Sequence, residues 1–369
     1  MAMMRAARLH EIGQPMSIDT IEVPTPRPTD VLVRVKAVGI VPNMANVINN
    51  WPTWFPHQPL ARFPAIFGLD PTGVVEKVGE AVINVKPGDR VYVSPLRSCG
   101  SCYACSGGNP SRCRYYTLNG YFSTSRDGQR IFELYPYGGF AEFMTAPQQA
   151  LVKIPDNLPF ELAARFGYIG TAYGALRLAG AGPGRVGLID GITGTLGVAS
   201  TVLALTLGVA KILGTGRNEE LLERVKGLSP RRIEVLALGD KPSAEWAKAH
   251  THGEGADFVI SALGARADAA TMLDSMHGVR RGGRVVNVGG VADEVPVDMK
   301  WLMDEQVHII GSNWFTAAQG QEMADMIETE TLDLSYLETE AFPLSEVNTA
   351  ISGRLKDPRG GFSNYIVVP

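Results

Sequence analysis

Every cysteine of the chain falls within fifteen residues: Cys99, Cys102, Cys105 and Cys113, spaced C-x2-C-x2-C-x7-C. Four thiols at this spacing suit tetrahedral zinc, with Zn–S distances of about 2.3 Å and no coordination position left open. Gly100, Gly107, Gly108 and Pro110 let the backbone turn tightly around such an ion. Four thiolates also suit an iron–sulfur cluster; one structural zinc per chain is the expected occupant. A closed shell neither activates water nor polarises a substrate, so the lobe at 95–115 is expected to be structural.

The second chemical signal is a glycine turn. Val186–Asp190 reads as a short apolar strand, followed by Gly191-Ile192-Thr193-Gly194-Thr195-Leu196-Gly197 and an apolar helix to about Leu207. Strand, glycine turn and helix form the dinucleotide-binding unit, in which backbone N–H groups at the helix N-terminus hold a pyrophosphate. The spacing is G-x-x-G-x-x-G; Gly194 and Gly197 take the last two positions of the usual pattern, and Ile192 takes the first. A second strand begins at Lys211 and ends in Gly214-Thr215-Gly216-Arg217-Asn218. An NAD site usually places a carboxylate about 20 residues after the turn, to bind the ribose 2′-OH. Gly216 stands at or near that position. Arg217 beside it suits a 2′-phosphate through charge-assisted hydrogen bonds, so NADP(H) is the expected coenzyme.

These residues need a scaffold. Further strands are expected at Glu234–Leu238, Ala256–Ala262 and Gly283–Gly290, alternating with helix-like stretches at 241–250 and 266–278. Alternating β and α units predict a parallel sheet covered on both faces. The loops Leu263-Gly264 and Val288-Gly289-Gly290 follow strand carboxyl ends, where such sheets bind ligands. With 369 residues, the chain is long enough for two domains. Its 34 basic and 38 acidic side chains, with no basic block, argue against a nucleic-acid partner. Residues 191–210 are uncharged, but three glycines in the N-terminal third and flanking Asp190 and Lys211 favour a buried helix over a membrane span. The opening residues show no apolar signal region, and a cytoplasmic location is expected.

The landmarks Gly68-Leu69-Asp70 with Gly73, Lys86-Pro87-Gly88-Asp89-Arg90-Val91, the cysteine lobe, Gly138-Gly139-Phe140-Ala141-Glu142, Thr171-Ala172-Tyr173 and the nucleotide fold occur in one order along the chain. In this the chain resembles the medium-chain dehydrogenase/reductases of the zinc alcohol dehydrogenase type, over nearly its whole length. The resemblance implies an α/β fold: a GroES-like, mostly β catalytic domain (1–168 and 309–369) and a doubly wound Rossmann coenzyme domain (169–308). It implies that the nicotinamide and substrate lie between them, that Thr171 contributes to the coenzyme site, and that the chain forms a homodimer or homotetramer.

The departures from this pattern carry the functional expectation. The resemblance places Val41, Leu69 and about Gly167 where zinc-dependent members hold a catalytic ion, and Asp70 where their neighbouring Glu stands. One carboxylate is too few, since a catalytic zinc needs about three protein ligands. Asn43 and Asn46 fall at the positions of the family's proton-relay hydroxyl and histidine. Asp70, Tyr168 and His57 are the other candidate catalytic groups. Trp51, Trp54, Phe55 and Trp314 suggest an aromatic pocket for a bulky substrate. Without a metal, hydrogen-bond donors must stabilise the developing oxyanion, or the acceptor must be an activated alkene. The zinc-free quinone and enoyl reductases of the wider family resemble this chain in their glycine turn and use NADPH. The expected activity is therefore hydride transfer from NADPH to a bulky carbonyl or enone. The competing readings are a conventional zinc alcohol dehydrogenase with atypical ligands and a non-catalytic NADPH-binding sensor or structural protein.

Overall fold

The computed structural model describes residues 2–54, 58–123 and 125–369, except for the side chains of Pro52 and Trp54. It divides into two units, one formed by residues 1–167, 315–358 and 363–369, the other by 168–314 and 359–362.

The first unit is built around a seven-stranded sheet whose central strand is Asp30–Gly39. Most of that strand is buried, as its apolar run DVLVRVKAVG requires. Asp70–Val78 pairs with it antiparallel, and the register sets Gly39 opposite Asp70 and Val35 opposite Gly73. A Cβ on Gly73 would lie 2.1 Å from the Arg34 carbonyl oxygen, so only glycine lets these strands approach so closely. Arg90–Val93 pairs with the other edge of Asp70–Val78 and sets Tyr92 opposite Thr72. The C-terminal strand Ser363–Val368 closes on Asp30–Gly39 through Ile366 and Val367. Met3–Leu9, Ser17–Glu22 and Ala65–Ile66 form a separate three-stranded sheet. A two-stranded ribbon, Leu96–Arg97 with Thr117–Leu118, flanks the cysteine lobe.

The second unit contains six parallel strands: β1 (Val186–Asp190), β2 (Lys211–Gly216), β3 (Ile233–Ala237), β4 (Ala256–Ser261), β5 (Val279–Asn287) and β6 (His308–Gly311), in the order 3-2-1-4-5-6. This is the doubly wound order, and its switch point lies between β1 and β4. Helix α1 (Thr195–Thr206) follows the glycine turn and is buried over most of its surface, which accounts for its uncharged sequence. Among the described residues, no helix is long and apolar enough to cross a membrane. Helix α2 (Glu219–Gly227) is capped by Asn218, whose side-chain oxygen accepts the Leu221 N–H at 3.0 Å. Glu219 and Glu220 lie in its first turn and Arg224 and Lys226 in its last, in keeping with the helix dipole. Helices α3 (Ser243–Ala249) and α4 (Ala269–His277) lie within the stretches that the sequence reading assigned to helix.

Three boundaries differ from the sequence expectation, the first only in that Tyr168 falls in the second unit. The division at 308/309 would cut through β6, which pairs with β5 from Arg284 to Asn287 and therefore belongs to the second unit. Residues 359–362 also stay with that unit rather than returning with the rest of the tail. The Gly361 N–H donates to the Thr193 carbonyl at 2.9 Å, and the Arg224 guanidinium lies 3.8 Å over the Phe362 ring. A Cβ on Gly361 would fall 2.4 Å from the Gly194 carbonyl oxygen, so the Gly360-Gly361 pair lets this clip lie against the turn.

Within the turn, Gly197 is a packing residue. Its Cβ would lie 2.2 Å from the Gly191 carbonyl oxygen and 2.6 Å from Ile192, whose side chain is buried against Gly214. Gly197→Ala is expected to destabilise the protein by about 1–3 kcal/mol through overpacking, measured as a lowered urea midpoint. An unchanged midpoint would show that α1 can move away from β1 at no cost.

Candidate functional site

The four cysteine sulfurs come together as their spacing predicts. All lie within 4.8 Å of one another, and the Cys99–Cys113 and Cys102–Cys105 pairs are 3.6 Å apart. Sulfurs around a tetrahedral zinc lie about 3.8 Å apart at the usual Zn–S length, so the donor set fits that ion. Backbone N–H groups of Cys99 and Tyr115 donate to the Cys113 sulfur at 3.4 and 3.3 Å. The Ser101 N–H is the main cause holding the Cys99 thiol down to about 6, whereas burial pushes Cys113 up to about 12.

The positions at which the resemblance places a catalytic metal hold a different arrangement. Val41 and Leu69 are each only 1% exposed and present apolar side chains. A Cβ on Gly167 would lie 2.0 Å from Asp70 Oδ1, so the carboxylate occupies the space a ligand side chain would need. Asp70 is fully buried and accepts the Tyr92 hydroxyl at 2.8 Å and the backbone N–H of Gly167. The Arg165 guanidinium, itself buried, donates to the carbonyls of Ile40 at 3.1 Å and Ser363 at 3.4 Å, and its charge acts on Asp70. These residues do not fit a catalytic zinc. Among the described residues, the cysteine lobe is the one group of three or more His, Cys, Asp or Glu side chains arranged to hold a metal.

Asn43 and Asn46 are brought together: Asn46 Nδ2 donates to Asn43 Oδ1 at 2.7 Å. This hydrogen bond joins the two amides into one unit, with the Asn43 oxygen as its acceptor. Tyr168 is half-buried and lies next to Gly167 in the helix Phe166–Ala179. His57 and Phe55 lie outside the described residues, as does the side chain of Trp54. The structure corrects the role of Trp51. Its indole is buried, donates to the Gln58 carbonyl at 2.9 Å and lies 5.1 Å from the Phe122 ring, as a packing residue does. Trp314 is half-buried.

In the second unit, a cleft of about 510 Å³ opens at the carboxyl ends of the strands. Gly191, Thr193 and Gly194 line it from the turn, Gly216, Arg217 and Asn218 from the end of β2, and Leu263 and Gly264 from the end of β4. Gly191 has φ +76°, a conformation that favours glycine. A Cβ on Gly194 would meet nothing closer than 3.4 Å, so the turn leaves the backbone open to a ligand. Gly194 is the N-cap of α1 and offers no side-chain cap, which leaves the first turn of the helix to bind an anion. The cleft fits a dinucleotide.

Several expected contacts act from behind this surface. Gly197 packs the helix against the strand, whereas Thr195 and Leu196 belong to the uncapped first turn of α1. Val288 and Gly289 donate to the Ser261 carbonyl at 3.0 and 2.9 Å, and Gly290 to that of Leu263 at 2.9 Å, so they fasten the adjoining loops. Thr171 is buried in its helix. Asn218 borders the cleft, but its side-chain oxygen is taken by the cap of α2. The sequence reading missed Leu238, Gly239 and Arg266; all three follow strand ends, the same signal that located Leu263 and Gly264. It also missed the buried Asp190, which accepts the Thr215 hydroxyl at 2.6 Å and which burial pushes up to about 6.

Residues 27–156 match the alcohol dehydrogenase GroES-like domain, and 195–329 match the zinc-binding dehydrogenase domain. An alcohol dehydrogenase of Geobacillus stearothermophilus is 32% identical over 361 residues, covering 97% of this chain and 98% of the relative. The chain is a medium-chain dehydrogenase/reductase of the alcohol dehydrogenase type. Among solved structures, AibC superposes with a TM-score of 0.83 at 26% identity, covering 100% of this chain and 96% of that one. A zinc-binding dehydrogenase of Sinorhizobium meliloti, bound to NADP, has the same fold at 23% identity, with a TM-score of 0.81 and full coverage of both chains. The four-thiolate lobe suits a structural zinc, as expected of this family.

Burial is the largest influence on the Asp70 carboxyl and pushes it up to about 7, against Tyr92, Arg165 and the Gly167 N–H, which favour the anion. Such a group binds its proton more tightly when folded. Its contribution is complete below about pH 4 and is lost as pH rises through about 7. The displacement from 3.8 to about 7 corresponds to on the order of 4 kcal/mol. Asp190 acts in the same direction. Asp70→Asn is therefore expected to flatten, but not abolish, the fall in urea-unfolding free energy across this range. An unchanged slope would contradict the assignment.

Proposed function

We propose that this enzyme transfers hydride from NADPH to a carbonyl, or to a C=C activated by one, in the cytoplasm and without a catalytic metal. The coenzyme preference rests on the end of β2, where Gly216 replaces a carboxylate and the exposed Arg217 lines the cleft. Arg266 adds a second guanidinium to the same cleft. A carboxylate there would repel a 2′-phosphate, whereas a guanidinium pairs with it. A Cβ on Gly216 would meet Leu222 at 3.0 Å and Thr193 at 3.2 Å, so a larger residue would also crowd the turn.

Bound NADPH supplies the hydride. With Val41, Leu69 and Gly167 offering no metal ligand, stabilisation of the oxyanion falls to hydrogen-bond donors. Asn43 is assigned that role because Asn46 fixes its carbonyl oxygen and orients its NH2 group. Tyr168 and His57 are the candidate proton donors, and Asp70 is a further candidate catalytic group. An enone or enal suits this arrangement because charge passes to an enolate, which weak donors stabilise. Trp314, Trp54 and Phe55 suggest a bulky acceptor. The edge strand β6 exposes its backbone and Ile309, which supports pairing of two chains in a homodimer or homotetramer.

Arg217→Ala is expected to raise the KM for NADPH at least about tenfold, the loss of one charge-assisted hydrogen bond, and to leave that for NADH nearly unchanged. Equal effects on both would refute the 2′-phosphate role. Across a panel of aldehydes, ketones, quinones and enals, large enones and ketones are expected to be turned over faster than ethanol or acetaldehyde. The reverse order would exclude the bulky-acceptor reading.

A further inference from the structure

Arg97 is a charged side chain whose pairing within the protein is incomplete. It is 1% exposed and sits in the ribbon strand Leu96–Arg97 beside the cysteine lobe. Nη1 donates to the carbonyls of Ser94 at 2.5 Å and Leu96 at 3.2 Å, whereas Nε and Nη2 have no hydrogen-bond partner. Those two nitrogens form the edge of the guanidinium that takes two oxygens side by side. The carboxylate acting on Arg97 is Asp30, and both its oxygens are committed: Arg27 Nε donates to Oδ2 at 2.7 Å and the Tyr135 hydroxyl to Oδ1 at 3.1 Å. Arg27 and Arg97 both lie against the Tyr135 ring, at 4.4 and 5.1 Å. Two guanidinium groups therefore share one carboxylate. Arginine does not shed its proton, and an uncompensated buried charge is strongly unfavourable.

A cavity of about 170 Å³ adjoins this group, lined in part by Ser94, Leu96, Arg97, Ser98, Pro110 and Tyr135. The Ser94 hydroxyl is also buried without a partner, which gives the wall a second unused donor. At roughly 30 Å³ per water molecule, the space suits a small ion with a few waters and is too small for a nucleotide. We propose that this cavity binds a small oxyanion, inorganic or a short carboxylate, on the Nε–Nη2 edge of Arg97 with Ser94 as a second donor. Ser98 and Pro110 belong to the cysteine-lobe segment, so the anion joins that lobe to the buried arginine.

The test is thermal unfolding of the full chain titrated with sodium sulfate, sodium acetate or sodium chloride at matched ionic strength. An Arg217→Ala/Arg266→Ala background weakens anion binding in the coenzyme cleft, and dependence on Arg97 separates the two sites. A saturable rise with sulfate identifies an inorganic oxyanion and one with acetate a carboxylate. Either rise should vanish in Arg97→Met. In Ser94→Ala, which keeps the guanidinium should Arg97→Met fail to fold, half-saturation is expected to need about tenfold more anion, as for loss of one hydrogen bond to a charged group. Unsaturable rises identical in the parent and both variants reflect general salt effects and would overturn the site. A saturable response to chloride alone would overturn the oxyanion assignment.

Discussion

The buried carboxylate of Asp70 is the constraint around which the catalytic unit is arranged. It lies opposite Gly39 in the strand register and takes the space of a side chain at Gly167. Tyr92 meets it across the next strand, and Arg165 ties the same region to the Ile40 and Ser363 carbonyls. Where the family resemblance places metal ligands, Val41 and Leu69 put apolar groups in the interior, and Gly167 leaves space that the carboxylate fills. A side chain at 167 and the Asp70 carboxylate exclude each other.

The coenzyme unit follows a different rule. Its glycines each answer a specific steric demand: Gly191 for its left-handed conformation, Gly194 for an open approach, Gly197 for close packing and Gly214 for the buried Ile192 side chain. The clip at 359–362 adds a contact from far along the chain, with Gly361 bonded to the carbonyl of Thr193. The turn is thus held by the strand before it, the helix after it and a distant segment, which fixes its backbone before any ligand binds.

Much of this was legible in the sequence because the signals were local. Cysteine spacing located the metal lobe, and alternating apolar runs located β1 to β5 to within a few residues. The glycine turn and Arg217 marked the cleft. What escaped depended on contacts between distant residues. The pairing of β6 with β5 moved a domain boundary, and the return of residues 359–362 to the turn has no local signature beyond two glycines. Burial turned Trp51 from a pocket wall into a packing residue. Asn218 served its own helix, as a cap residue does when it precedes two glutamates. Asp190 and Arg97 showed their unusual settings only once the strands around them were in place.

The proposed activity requires hydride transfer to proceed with the cysteine lobe as the sole metal site. Zinc counted per chain by plasma mass spectrometry, on the same sample that oxidises NADPH with an enone and again after dialysis against a chelator, tests this most directly. One zinc per chain in the active protein, with turnover unaffected when chelation leaves that ion in place, is the predicted result. Two zincs per chain, with turnover lost in step with removal of the second, would contradict it.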